Sequence, residues 1–507
     1  MKKLIDIVDT TVRDGEQTKG VSYKKEEKLI IVRRLLEEVK VSRCEVCSAK
    51  VSPDEQVGLT RIMDWAKSAK MQDRIEALSF TDFDKSISWL EPTGCRKINL
   101  LTKGSQRHCE LQLKKTLQEH LVDVEKTVKY AQDKGFDVNV YLEDWSNGIK
   151  DSPDYVWNML EAYSKLGFKR ILLPDTLGIL NPFSTQAYVA ETVKRFPNLA
   201  YEFHAHNDYG MATGNSLAAI LAGASGVHVT VNSLGERTGN VDLAQIVTTI
   251  NDHTDFTTTV DEKKLKEASQ LVETFSGKRI AWNMPIVGND VFTQTAGIHA
   301  DGDKKGNLYA SSLTPDRFDR NRDYALGKLS GKANIEMNLR KLGISLNDDQ
   351  KAKILEKVVE LGDLKKNVTV YDLPFLVADM FGAQRYKAFR VVGCVVTTTM
   401  RMKPNANVQV EYNGEIYEET AVGSGGFDAF MVALRKLAPK MGIEIPKLMD
   451  FEITIPPGGN SNSIVEANIL WDNGMTTHAV SSDQVKAAIK ATERVINLIY
   501  SKDLLKD

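Results

Sequence analysis

Across roughly the first 270 residues, short apolar runs with strand periodicity alternate eight times with longer stretches of helical character. The strand candidates are 4–11, 44–48, 74–80, 97–102, 137–143, 170–176, 200–206 and 226–234. Helical spacing shows between them at 23–39 (Leu29, Val32, Leu35, Leu36), 119–134 and 153–166. Such alternation predicts an α/β fold with an N-terminal TIM (β/α)8 barrel. A doubly wound sheet would carry a Gly-rich turn after its first strand, and none stands there.

A barrel confines chemistry to the C-terminal ends of its strands. Those ends supply Arg13 and Asp14, Glu45, Leu78, Leu101, Tyr141 and Glu143, Thr176, His204 and His206, and Asn232. An arginine, carboxylates, two histidines and a few apolar groups around one mouth read as an active site. The run Tyr201–Asp208 is the most pointed part. Residues two apart on a strand face one way, so His204 and His206 present two imidazoles side by side. That is half a site for a divalent cation. Packing histidines are the ordinary alternative, but Asn207 and Asp208 directly after them fit it poorly.

At 507 residues the chain is too long for one core. Residues 276–325 read as irregular, with polar clusters at 297–302 and 304–309. Short helices at 335–342, 349–362 and 371–381 form a small helical subdomain. Residues 388–422 alternate as strands around Asn413-Gly414, and a glycine turn at 423–426 leads into an amphipathic helix to about 441. Strands recur over 450–480, with turns at 456–459 and 472–474, before a helix capped by 481–483. The expected division is a barrel at 1–275, linker and helical subdomains at 276–387, and an α+β domain at 388–507.

Hydrophobic content of 42%, charged content of 26% and a net charge of -2 suit a soluble globular protein. No long run of like charge points to nucleic acid or a membrane surface. No apolar stretch approaches the ~20 residues of a membrane span, and Asp6 interrupts the N-terminus before a signal peptide could form. Five scattered cysteines fit a reducing, cytoplasmic setting. Cys44 and Cys47 form a C-x-x-C, but residues three apart on a strand face opposite ways, which argues against redox or zinc use.

Val12-Arg13-Asp14-Gly15-Glu16-Gln17, with Lys28 beyond, resembles the first signature of the 2-isopropylmalate, homocitrate and citramalate synthase family. His204–Gly214 is similar to its second signature and Ser233–Asn240 to its third. Val12 and Tyr201 depart from the family pattern at positions that do not touch the chemistry. The resemblance covers nearly the whole chain, and 388–507 is similar to the feedback-inhibition domain of these synthases. The blocks 141–148 and 297–302 look most like the citramalate synthase branch.

The resemblance implies an acyltransferase that condenses acetyl-CoA, its co-substrate, with a 2-oxo acid. It implies that Asp14, His204, His206 and Asn240 bind a divalent cation (Zn, Mn or Mg) that polarises the keto group. Arg13, next to Asp14, suits the developing oxyanion; an ion pair with Glu45 or Asp14 is its structural alternative. Glu143 shares a strand face with Tyr141 and is the candidate base for the acetyl methyl. His299 and Tyr309 are implied to complete the site over a neighbouring subunit's barrel, in a homodimer. Thr176 offers a hydroxyl to the substrate carboxylate, or caps a helix.

Leu78, Leu101 and Tyr141 would close around a methyl, which points to pyruvate and to (R)-citramalate synthase activity in isoleucine biosynthesis. Ordinary barrel packing is the alternative for the leucines. No arginine or lysine stands at the matching strand ends, which counts against an acid with a second carboxylate. An amino-acid effector is expected on 388–507, with backbone N–H groups of 423–426, Phe427 and Asp428 in contact; a plain turn is the commoner use of such glycines. Competing readings are a 2-isopropylmalate synthase acting on 2-oxoisovalerate, a hydroxymethylglutaryl-CoA-lyase-like enzyme and a non-catalytic metal-dependent sensor. The C-terminal module weighs against the lyase, and Arg13, Glu143 and His299 against the sensor.

Overall fold

The computed structural model describes residues 2–306, 308–363, 368–381, 388–455 and 465–500. The turn expected at 456–459 lies outside them. Two compact units are present: Met1–Phe292 with Ser311–Asn321, and Thr293–Ala310 with Arg322–Asp507.

The first unit is a closed barrel of eight parallel strands. They are β1 (Asp6–Asp9), β2 (Arg43–Ser48), β3 (Ile75–Phe80), β4 (Lys97–Lys103), β5 (Asp137–Glu143), β6 (Ile171–Asp175), β7 (Tyr201–Ala205) and β8 (Gly226–Val229). Closure runs through β8 and β1, paired from Asp6↔Gly226 to Asp9↔Val229. Two strands are shorter than their apolar runs. Thr11 donates its N–H (2.8 Å) and its hydroxyl (2.9 Å) to the Asp9 carboxylate, which turns the chain after β1. The Val231 N–H donates to the Thr11 hydroxyl at 2.8 Å, so β8 is turned by the same residue.

Helices follow the strands, and their first turns carry their own caps. Ser52 accepts from the Glu55 N–H at 3.1 Å, and Asp242 from the Gln245 N–H at 3.0 Å. Ile31, Leu35, Ile62, Met63, Val124, Val128 and Val189 bury the helices' inner faces against the outside of the barrel. Each such side chain contributes about 1.5–3 kcal/mol through burial.

The lumen is less usual. Where barrels place branched aliphatics, this floor is charged. Arg43 Nη1 donates to Glu76 at 3.0 Å, Nη2 pairs with Glu202, and Arg170 pairs with both carboxylates. Asn99 donates to Glu45 (2.5 Å) and Glu76 (3.2 Å), and Asn139 to Asn99 (2.8 Å). Two residues further along the strands lies an apolar layer of Leu78, Leu101, Tyr141 and Leu172.

In the second unit, helices Lys332–Lys341, Asp348–Asp363 and Leu373–Phe381 share a core around Ile335, Leu339, Ile354, Val358 and Leu373. The span read as irregular contains a helix, Gly297–Lys304. Two glycines in eight residues had hidden its periodicity. Strands β9 (Phe389–Thr397), β10 (Asn405–Tyr412) and β11 (Glu415–Val422) form one antiparallel sheet. Strands β12 (Leu448–Thr454), β13 (Val465–Trp471) and β14 (Thr476–Ser481) form another. A helix follows each sheet, Gly426–Met441 and Gln484–Tyr500, and Phe430, Leu434, Ile469, Trp471 and Val495 join the halves in one core.

Candidate active site

The loop after β1 folds back over the barrel mouth because the Asp14 and Gly15 N–H groups both donate to Thr10 O, at 2.8 and 3.1 Å. Asp14 Oδ2 thereby lies 3.0 Å from His204 Nε2 and 3.9 Å from His206 Nε2, and all three residues are buried. Asn240 arrives beside them through an isolated bridge to His206. Gly239 makes that approach possible. Its φ is +84°, and a Cβ there would strike the Ser233 carbonyl.

Among the described residues, His204 Nδ1, His206 Nδ1 and Asn240 Oδ1 are buried polar atoms without a hydrogen-bond partner, and the buried Asp14 Oδ2 has only the two imidazoles beside it. One ligand atom from each of Asp14, His204 and His206 lies within 4.8 Å of the others. Burial alone would raise the Asp14 carboxyl, yet Arg13 and His204 hold it well below the usual range. Burial pushes His204 down, and burial with the neighbouring His204 pushes His206 to about 4. An ionised carboxylate and neutral imidazoles are the ligating forms. The donor set fits a divalent cation.

Arg13 makes the ion pairs that were its structural alternative. Its Nε donates to Glu45 Oε1, its Nη1 lies 3.5 Å from Asp14 Oδ1, and its Nη2 donates to the Tyr141 hydroxyl at 3.3 Å. Glu143, at the end of β5, accepts from the Lys103 ammonium. Lys103 corrects the sequence reading. It is the last residue of β4, in register with Glu143, so a lysine does stand at a strand end. Its charge is matched by Glu143 rather than free.

Leu78, Leu101 and Tyr141 do meet in the lumen, together with Leu172, which the sequence reading missed. The run Ile171–Asp175 is buried throughout, so no alternation marked its inward residue. Thr176 Oγ1 accepts from the Asp144 N–H at 2.9 Å, at the start of the helix Trp145–Asp151. Asn232 turns away from the mouth: its φ is +59° and its side chain bonds Ser269. Arg237, also missed, clamps Asp208 (2.8 and 2.9 Å) and the Thr176 carbonyl (2.8 Å), which ties the loops after β6, β7 and β8.

The HMGL-like family model matches residues 4–272. The homocitrate synthase post-HMGL domain-like model matches 286–366, and the LeuA allosteric (dimerisation) domain model matches 367–500. An (R)-citramalate synthase of Methanocaldococcus jannaschii is 31% identical over 98% of this chain and 100% of its own. A 2-isopropylmalate synthase of the same organism is 32% identical over 98% of this chain and 95% of its own. The chain belongs to the family of citramalate and isopropylmalate synthases. It is an acyltransferase by that membership. Among solved structures, an HMG-CoA lyase of Bacillus subtilis covers 56% of this chain and 97% of its own, at 23% identity and a TM-score of 0.49.

In this synthase His299 and Tyr309 lie in the second unit, their ring centroids 4.3 Å apart; His299 is half-buried and Tyr309 exposed. Phe427 packs against Phe430 and Phe451, with ring centroids at 6.1 and 5.1 Å. Asp428 accepts from the Ser424 N–H (2.7 Å) and hydroxyl (2.8 Å), which closes the glycine turn on itself. No helix among the described residues is long and apolar enough to cross a membrane.

Proposed function

We propose that this synthase is an (R)-citramalate synthase, condensing acetyl-CoA with pyruvate and hydrolysing the thioester to give citramalate and CoA. The observation that carries the reading is the small apolar lumen. Leu78, Leu101, Leu172 and the Tyr141 ring form one apolar cluster, and that ring stands edge-on to His204 at 5.7 Å, a wall that suits a methyl. A 2-isopropylmalate synthase is the second reading, favoured by a similar identity, 32%, to such a relative. Its substrate, 2-oxoisovalerate, carries an isopropyl group in place of the methyl. Each further methylene in a filled pocket costs about 1–3 kcal/mol.

A divalent cation held by Asp14, His204, His206 and Asn240 supplies Lewis acidity toward the keto group. The chain's own residues do the rest. Arg13 holds its guanidinium toward the keto oxygen, where negative charge collects. The Glu143 carboxylate takes a proton from the acetyl methyl, the freed carbon pair forms the bond to the keto carbon, and Lys103 keeps the base aimed. Thr176 donates its hydroxyl to the substrate carboxylate. Water then cleaves the thioester and releases the CoA thiol. His299 and Tyr309 serve the barrel of a second copy in a homodimer.

An amino acid, isoleucine by this reading, binds within 388–500 and inhibits. The match to an allosteric domain model supports this. Phe427 and Asp428 contact it, the latter by exchanging Ser424 for the ligand's ammonium. The deciding experiment is thiol release from acetyl-CoA with pyruvate, 2-oxobutyrate, 2-oxoisovalerate and 2-oxoglutarate. Pyruvate gives the highest kcat/KM; a lead for 2-oxoisovalerate makes the protein an isopropylmalate synthase instead.

A further inference from the structure

The chemistry above leaves His228 without a task. It lies on β8 in register with His204 and is 1% exposed. Its Nδ1 is 2.8 Å from the Tyr141 hydroxyl and its Nε2 is 3.0 Å from Glu202 Oε2. Glu202 is itself held by Arg43 and Arg170. One imidazole therefore ties Tyr141 to the charged floor. On its other side the same hydroxyl accepts from Arg13 Nη2 at 3.3 Å. The ring stands edge-on to both His204 and His228, at 5.7 and 5.6 Å, and packs with Leu78, Leu101 and Leu172.

We propose that His228 sets the size of the 2-oxo acid pocket by holding Tyr141 in place, an inference that rests on the pocket assigned above. Apolar contact resists a change of rotamer only weakly, because a rotated ring can find new apolar contacts. The hydroxyl cannot. Swinging Tyr141 outward would part three buried groups, the phenol, His228 Nδ1 and Arg13 Nη2, and each bond so broken has a desolvation cost. The wall of the pocket is thus fixed by a residue that does not line it. His228 is a positioning residue, acting through the phenol on the pocket and on Arg13.

The test compares kcat/KM for pyruvate and 2-oxobutyrate in the parent, His228→Leu, His228→Asn, Tyr141→Phe and the His228→Leu/Tyr141→Phe double variant. His228→Leu raises the 2-oxobutyrate-to-pyruvate ratio roughly tenfold. His228→Asn, which returns a polar group near Nδ1, keeps the ratio near the parent's. Tyr141→Phe raises it at least as much, since it also removes the bond to Arg13, and the double variant goes no further than Tyr141→Phe, because the bond to His228 is already gone. General loss of structure would lower both acids together and leave the ratio alone. An unmoved ratio in His228→Leu or Tyr141→Phe, or additive effects in the double variant, overturns the proposal. Should His228→Leu fail to fold, the ratio in Tyr141→Phe is decisive by itself. A parent inactive on both acids refutes the proposed function itself, whereas an active parent with unmoved ratios refutes only the role of His228.

Discussion

Lys103 and Glu143 stand opposite each other at the ends of β4 and β5, and the lysine's ammonium donates to the glutamate's carboxylate. The backbone around them leaves little slack. The Gly104 N–H donates to Glu143 O at 2.6 Å, and a Cβ on Gly104 would strike the Leu142 carbonyl. The base proposed above needs to be aimed, and a buried lysine one strand away is placed to do so.

Glu143→Gln therefore lowers kcat by about 10²–10⁴-fold, the usual contribution of a positioned base, with the thermal midpoint near the parent's. Lys103→Met lowers kcat less, roughly tenfold on the same scale, and Lys103→Arg recovers part of it. Steady-state thiol release measures all three. A Glu143→Gln variant with near-normal kcat would remove Glu143 from the chemistry.

The barrel was legible because strand–helix alternation has one closed solution at eight repeats, and the pairing of His204 with His206 because they share a strand face. Lys103 was not, since its strand reads as ending at Thr102 and only the register carries it one residue further. Leu172 and His228 were hidden for another reason. Their strands are buried on both sides, and a strand buried on both sides loses the alternation that separates inside from outside. Asn232 failed through its left-handed φ, which no pattern of residue types reports. The charged floor is a matter of pairing across strands, so Arg43, Glu76, Arg170 and Glu202 look unremarkable one at a time.

For the metal, stability is a cleaner readout than rate. In chelator-treated protein, added Zn, Mn or Mg raises the midpoint of unfolding, by about 2.7 kcal/mol of stability at a concentration 100 times Kd. Asp14→Ala and His204→Ala abolish that rise together with turnover, while the barrel core below them stays folded. A cation-dependent rise that survives in both variants would put the cation elsewhere.

The floor makes a prediction about pH. Burial would raise the Glu202 carboxyl, but Arg43, His228 and Arg170 outweigh it and hold it well below the usual range. A depressed carboxyl contributes stability that is present above its unfolded value, near 4.3, and is lost as pH falls toward the folded value. Arg43→Met leaves Glu76 and Glu202 short of a partner and costs about 3–5 kcal/mol at neutral pH. Its deficit against the parent narrows below about pH 4, as the Glu202 carboxylate protonates. Thermal unfolding from pH 3 to pH 7 measures this; a deficit that stays constant across the range would mean the lost packing of Arg43, not its charge, is what matters.

Leu101 gives the most direct test of substrate size. It is the half-buried member of the lumen layer, on β4 in register with Tyr141 and beside Leu78 and Leu172. Truncation to alanine removes three carbons from the wall. In a core, such a change costs about 2–5 kcal/mol of stability, the lower end where the site is partly open. In a pocket, the same space is available to a larger substrate. Leu101→Ala accordingly loses activity on pyruvate, whose methyl no longer touches that wall, and gains relative kcat/KM on 2-oxobutyrate and 2-oxoisovalerate by roughly 10–100-fold, one or two methylenes' worth of contact. The effector's role stays out of this measurement if residues after about 390 are retained and isoleucine is left out. Equal losses on all three acids would assign Leu101 to barrel packing, and the choice of pyruvate would then need another wall.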